Sequence, residues 1–352
     1  MSNFKTFATR KILTGMNLTG LDRIYQQLDT ELGMILTFHH VRPDPIPKFS
    51  PNAHLSIHPE FLAKVIEFLR GRNIEIISLD EAQQRILNPK ELRRFAVFTF
   101  DDGYRDTLEH AVPVLAKYKV PYTVYFAPGF IEGTADLWWE GIESLVRQQD
   151  GLFLQREEGT VELDCSSLSK KHKTFQYLLH YLTNDTPELD QHRRVREICW
   201  PYKIDMSAML REQMMTWDEV RLISQDPLCT VGAHTLNHRA LARLEPKQAL
   251  NEMVQGASIL EMELGLRPAH FAYPYGYLAA ANARDFQLAR EAGFQTAVTT
   301  RPGMIFPEHR EHLTALPRLS VNGLFQSMRH FSPLTSGLPT RLSAKMKKLN
   351  VS

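Results

Sequence analysis

The chain of 352 residues has only three cysteines, Cys165, Cys199 and Cys229, an odd number without CxxC spacing. That excludes a disulfide framework and a thiolate zinc cluster, and the thiols read as reduced core residues. No window reaches the roughly 18 consecutive apolar residues of a membrane span. Nor is the basic N-terminus, residues 1–11, followed by an apolar segment long enough for a secretory signal, so a cytoplasmic location is expected. Long basic blocks are missing too, and with a formal net charge of +1 nothing points to a nucleic-acid partner. Glycine-rich phosphate cradles, internal repeats and low-complexity segments are likewise absent. What remains is an ordinary composition, 43% hydrophobic and 23% charged, on a length that suits one barrel-sized catalytic domain with additions.

Two stretches stand out against this background. The apolar run Phe95–Phe100 stops abruptly at Asp101-Asp102-Gly103-Tyr104, a strand delivering two carboxylates into a loop. The shorter run Cys229–Ala233 stops at His234-Thr235-Leu236-Asn237-His238, where two imidazoles four residues apart face one point if the segment makes a helical turn. Two histidines and one carboxylate make a three-ligand metal site with an open position for water. Taken singly, each stretch has a plainer reading. Asp-Asp-Gly also serves as a loop cap or a magnesium site, and His-x-x-x-His as solvated or capping histidines. Taken together, both stand at carboxyl ends of strands, where α/β enzymes place their chemistry.

Around them strand and helix alternate, which argues for parallel α/β architecture. Apolar spacing predicts a helix over 59–69, a strand over 74–77, and a helix begun by Ser78 and Glu81 as a capping box. A helix over 105–118 and a strand over 122–127 follow, and Thr216 with Glu219 forms a second capping box. A long amphipathic helix then ends at Gly265, with strands over 270–273 and 295–299 separated by a helix over 280–292. Residues 316–321 would close a barrel. Between 129 and 215 the alternation lapses into a mostly helical insertion. There Trp138 and Trp139 serve either as packing anchors or as platforms for a sugar ring, and His172, His180 and His192 lack ligand spacing and are assigned to the surface.

Three segments, Thr99-Phe100-Asp101-Asp102-Gly103-Tyr104, His234-Thr235-Leu236-Asn237-His238 and Phe271-Ala272-Tyr273-Pro274-Tyr275-Gly276, resemble in order and strand context the first three motifs of the polysaccharide deacetylases. These are the NodB-homology enzymes of carbohydrate esterase family 4, and the resemblance runs over about residues 32–321. It implies an α/β fold, a distorted (β/α) barrel of the NodB type with the helical insertion at about 129–215. The domain layout is then an N-terminal amphipathic helical extension (1–32), a catalytic domain (33–335) and a basic C-terminal tail (336–352). The extension carries Ile12, Met16, Leu21, Ile24, Tyr25 and Leu28, and reads as a helix packed on the barrel or one lying on a membrane surface.

The resemblance also implies an activity, metal-dependent removal of acetyl groups from N-acetylated oligo- or polysaccharides, and roles for residues. Asp102, His234 and His238 would hold a divalent metal, zinc first, with cobalt, nickel or manganese also suited to these donors. Asp101 would be the base, the Tyr275 N–H after Pro274 an oxyanion donor, and Pro274, Tyr275, Trp138 and Trp139 substrate contacts. His39, at the end of Leu36-Thr37-Phe38-His39, would be the general acid, as in the subgroup that partially deacetylates poly-N-acetylglucosamine of biofilms. His40 points to the other side of the strand. Many family members have an arginine where this chain has Ala272; Arg318 is the candidate replacement that orients the base, or else an ordinary salt-bridging arginine. The fourth motif is not recognisable. O-acetyl ester or non-sugar amide hydrolysis on the same scaffold, or a silent glycan-binding protein, are the competing readings.

Overall fold

The computed structural model describes residues 3–19, 30–89, 93–343 and 348–351. Twelve strands are described: β1 (Gly33–Phe38), β2 (His40–Val41), β3 (Ser56–Ile57), β4 (Glu75–Ile76), β5 (Phe95–Phe100), β6 (Tyr122–Phe126), β7 (Gly151–Arg156), β8 (Gly159–Asp164), β9 (Cys229–Ala233), β10 (His270–Ala272), β11 (Thr296–Pro302) and β12 (Leu316–Ser320). Strands β1, β12, β11, β10, β9, β6 and β5 pair in that order, and β5 pairs again with β1, so seven parallel strands close into a barrel. Strand β4 lies alongside the start of β5. The expected barrel is present, and residues 316–320 close it.

Burial explains why these runs become barrel strands. β1, β5 and β6 are buried at every position, as parallel strands covered on both faces must be. Alternate residues divide between two cores. Ile35, Phe95, Val97, Tyr125, Val298 and Leu316 fill the barrel interior. Met34, Leu36, Phe38, Phe98, Phe100 and Phe126 face the surrounding helices. Each such side chain contributes about 1.5–3 kcal/mol on burial. By the same parity, residues 39, 101 and 318 belong to the inward set at one end of the barrel. Register brings them together: Phe38 is opposite Phe100, Leu36 opposite Leu319, and the Asp101 N–H donates to Phe38 O at 3.0 Å.

The helices follow their capping signals. Pro59–Gly71 buries Phe61, Leu62, Val65, Ile66 and Leu69; Leu79–Leu87 starts at Ser78, whose Oγ accepts the Glu81 N–H. Trp217–Ser224 has the full Thr216–Glu219 capping box, and Pro246–Leu264 stops at Gly265 in the left-handed region, φ 74°. One helix departs from expectation. Over 105–118 the chain makes a wide π-turn at Thr107–Ala111 before the α-helix Val112–Tyr118. Pro113 is the second residue of that helix; it has no N–H for the Glu109 carbonyl and its ring would strike that oxygen, so the ladder opens there.

The insertion is mostly helical, with Trp138–Gln148, Leu168–His180, Gln191–Cys199 and Met206–Gln213 around a core of their own. It also holds an unexpected antiparallel hairpin, β7 with β8. The N-terminal helix Asn3–Thr19 buries Leu13, and Arg10 donates to Leu324 O at 2.7 Å. Leu21, Ile24, Tyr25 and Leu28 of the expected helix lie outside the described residues. At the start of the basic tail Ser336 and Thr340 are buried, and Ser336 Oγ donates to Pro333 O. Among the described residues no helix is long and apolar enough to cross a membrane.

Candidate active site

At the carboxyl end of β5 the chain separates its two carboxylates. Asp101 continues the inward face of the strand, while Asp102 takes a left-handed conformation, φ 73°, followed by Gly103 at φ 81°. Such a conformation is uncommon outside glycine, asparagine and aspartate, and here it aims the second acid elsewhere. Asp102 Oδ1 lies 3.4 Å from His234 Nε2 and 3.2 Å from His238 Nε2, with all three residues buried. His234 Nδ1 is 2.6 Å from Ala272 O, so that nitrogen donates and the ring is held with Nε2 towards Asp102. Burial alone would raise the Asp102 pKa; hydrogen bonds from the two histidines outweigh it and hold the carboxyl well below its usual range.

These residues fit a divalent cation. One donor atom from each of Asp102, His234 and His238 lies within 4.8 Å of the others. Tetrahedral coordination with bonds of roughly 2.0–2.1 Å puts neighbouring ligand atoms about 3.3 Å apart, which the two Asp102–histidine separations match.

Asp101 has a different partner. Arg318 Nη1 donates to Oδ1 at 2.7 Å and Nη2 to Oδ2 at 2.6 Å, a two-point fork. The guanidinium is fully buried and spends its other donors on Thr299 O and Thr99 Oγ1. Burial would push the Asp101 carboxyl up, but the arginine more than offsets this and its pKa is lowered. His39 Nε2 stands 3.9 Å from Asp101 Oδ2, with 19% of its side chain exposed. Its pKa is lowered by burial against the pull of Asp102 and Asp101. His40 faces away, its Nδ1 2.7 Å from Asp106 Oδ2 and its Nε2 3.7 Å from Glu140.

The third side of the site is aromatic. Tyr275, after Pro274, sits at φ 60° with its ring 4.8 Å from that of His238. Its N–H has no acceptor among the described residues. Trp138 Nε1 donates to Tyr275 Oη at 2.7 Å and Trp139 Nε1 to Tyr104 Oη at 3.1 Å. Both indoles are buried, 2% and 7% exposed, and pack edge to face as the wall of the site. The exposed aromatic beside them is Tyr277, 6.4 Å from the Tyr275 ring, which sequence reasoning passed over.

His192 corrects an expectation. His180 is exposed and His172 half-buried, but His192, assigned to the surface, is buried. Its Nδ1 accepts the Asp136 N–H at 3.1 Å and its Nε2 donates to Asn237 O at 3.0 Å, tying the insertion to the turn between the paired histidines. Lone histidines carry no periodic signal, so nothing in the pattern of residues separates it from the other two. Burial lowers its pKa to about 3 from an ordinary 6.5. Below pH 6.5 the unfolded chain therefore binds this proton and the folded protein does not. Stability is full above about 6.5 and declines as pH falls, by ~2 kcal/mol at pH 5 from this group. Urea unfolding at pH 7.5 and pH 5 should show a smaller acid loss in His192→Gln than in wild type. An equal loss would place the effect elsewhere.

Comparison with known proteins now defines the class. Residues 89–297 match the family model described as polysaccharide deacetylase. That is more than half of the chain, which therefore belongs to the polysaccharide deacetylase family, hydrolases of carbon–nitrogen bonds other than peptide bonds. Solved structures share the fold. The Streptococcus pyogenes deacetylase PplD, in complex with acetate, is 17% identical with a TM-score of 0.57, covering 86% of this chain and 97% of that one. IcaB from Ammonifex degensii is 16% identical, TM-score 0.54, covering 87% and 97%. The BpsB deacetylase domain from Bordetella bronchiseptica is 18% identical, TM-score 0.50, covering 83% and 97%. No curated protein matches the sequence significantly. His39 and Arg318 both lie outside the span matched by the family model.

Proposed function

We propose that the protein is a divalent-metal-dependent deacetylase that hydrolyses the acetamide of N-acetylated sugars in an oligo- or polysaccharide. The observation that carries this reading is the convergence, in one buried site, of an ionised base held by Arg318 and a separate Asp-His-His set of donors. A silent glycan binder has no use for a buried base beside such a set.

A cation held by Asp102, His234 and His238 would supply Lewis acidity, polarising the acetyl carbonyl and lowering the pKa of water at the site. The rest falls to the chain's own residues. Asp101 accepts the proton of the attacking water. The free N–H of Tyr275 donates to the oxygen that gains charge as the carbonyl becomes tetrahedral. His39, on the neighbouring strand, gives a proton to the sugar nitrogen as the carbon–nitrogen bond breaks, leaving acetate and a free amine. Arg318 holds Asp101 in place of the arginine that Ala272 replaces. Trp138, Trp139, Pro274 and Tyr275 wall the slot for the acetyl group. Zinc is the first choice of metal, and cobalt, nickel and manganese suit the same donors.

The test is acetate release from N-acetylglucosamine oligomers by chelator-treated protein, before and after zinc, cobalt, nickel or manganese is restored. Release that returns with metal is expected. Absence of release with every metal, while one equivalent binds, would overturn the N-deacetylase reading. An O-acetylated glycan assayed in parallel separates ester from amide hydrolysis, because an alkoxide departs with less need of His39.

A further inference from the structure

We infer that Glu252 is a positioning residue that presets the two histidines for the metal by capping the turn between them. This rests on the proposed ligand set. The turn Thr235 to His238 is held in an unusual shape, with Thr235 at φ 62° and His238 at φ 54°, both in the left-handed region. Such conformations persist only where surrounding structure enforces them.

Helix Pro246–Leu264 provides that enforcement. A Cβ at Gly256 would lie 2.5 Å from Thr235 O, so the glycine lets the helix backbone rest directly on the turn. Glu252 is one helical turn earlier on the same face. Buried to 8% exposure, it accepts the Leu236 N–H at 3.1 Å and the Asn237 N–H at 2.7 Å on Oε2, and the Asn237 Nδ2–H at 2.9 Å on Oε1. Two successive N–H groups beside a left-handed residue form a concave nest for an anion, and the Glu252 carboxylate occupies it. The other contacts grip the carbonyl side: Gly129 N–H to Leu236 O at 2.7 Å, and His192 to Asn237 O. Among the described residues only Glu252 holds the N–H side. Because Leu236 and Asn237 lie between His234 and His238, and His234 is anchored separately through Phe126 O and Ala272 O, relaxation of the turn moves His238 Nε2 relative to His234 and Asp102.

The full-length protein tests this through zinc affinity, measured by competition with a chromogenic chelator, and through the visible spectrum of the cobalt-loaded form. Glu252→Ala is expected to weaken zinc binding by about 10–100-fold and to change the cobalt bands. Glu252→Gln, which keeps one acceptor oxygen, should fall between it and wild type, and Gly256→Ala should weaken binding by lifting the helix off the turn. Leu260→Ala, a buried change on the same helix remote from the turn, controls for general destabilisation. Zinc affinity and cobalt spectra within two-fold of wild type in Glu252→Ala would overturn the inference, as would an equal affinity loss in Leu260→Ala. If Glu252→Ala does not fold, Glu252→Gln and Gly256→Ala against Leu260→Ala decide. His234→Ala separates the two readings. Zinc retained there sinks the ligand set itself, whereas zinc lost there but kept in the Glu252 variants sinks only the positioning role.

Discussion

Asp101→Asn should reduce acetate release by about 10²–10⁴-fold, the range that a general base contributes, while the protein still binds one equivalent of zinc. The substitution preserves size but removes proton affinity, and it leaves Asp102, His234 and His238 intact. His234→Ala should lose metal and activity together. The comparison therefore separates a base from a ligand among two adjacent aspartates. A side effect is also expected. Asparagine replaces one of the two oxygens in the Arg318 fork with an NH₂ group, so a donor faces a donor and the buried guanidinium loses half its pairing. Metal loss in Asp101→Asn equal to that in His234→Ala would refute the division of roles.

The larger effect on stability belongs to Arg318. Replacement by methionine strands the buried Asp101 carboxylate, and breaking a buried pair in this way costs about 3–5 kcal/mol. The sign of the accompanying pH change follows from what remains. Burial, which raises the Asp101 pKa, is then opposed only by the weaker pull of His234 and His39, so the carboxyl protonates at higher pH than in wild type. The acidic limb of kcat/KM should move to higher pH. In wild type the pairing stabilises the fold above the ordinary carboxylate pKa of 3.8 and is lost only as pH falls through the lower folded value. Arg318→Lys keeps the charge without the fork and should be intermediate. Asp101→Asn combined with Arg318→Met removes both charges and should recover part of the lost stability. An unmoved acidic limb with a stability loss below about 1 kcal/mol in Arg318→Met would show that the fork does not govern Asp101.

How far the sequence foretold this depends on which interactions leave a periodic trace. The barrel strands did, because parallel strands buried on both faces are written as unbroken apolar runs, and their ends marked Asp101, Asp102, His234 and His238. Arg318 was legible only through the resemblance, as a stand-in for the arginine missing at Ala272, because it sits in the middle of the strand Leu316–Ser320 and breaks the apolar run there. Hairpin β7–β8 was not. Leu152 and Leu154 alternate inward, but Phe153, 61% exposed, puts an aromatic in the outward slot and hides the period. The roles of Trp138 and Trp139 were undecidable, since an indole packed in a wall and one offered to a sugar are the same letter. Glu252 was overlooked because an acid on a long amphipathic helix reads as solvated. Its burial follows from long-range contacts, the approach of Gly256 to Thr235 and the bonds to Leu236 and Asn237, which leave no mark in the sequence.

Barrel closure through β1 and β12 has a consequence in time. Asp101 and Arg318 are separated by 217 residues. At ordinary synthesis rates of 5–20 residues per second, the carboxylate emerges roughly 10–40 s before its cation exists. Until then the first strands of the ring cannot bury that charge without cost, so they stay open to water. Catalytic competence and the final closure of the ring thus arrive in one event, late in the life of the nascent chain.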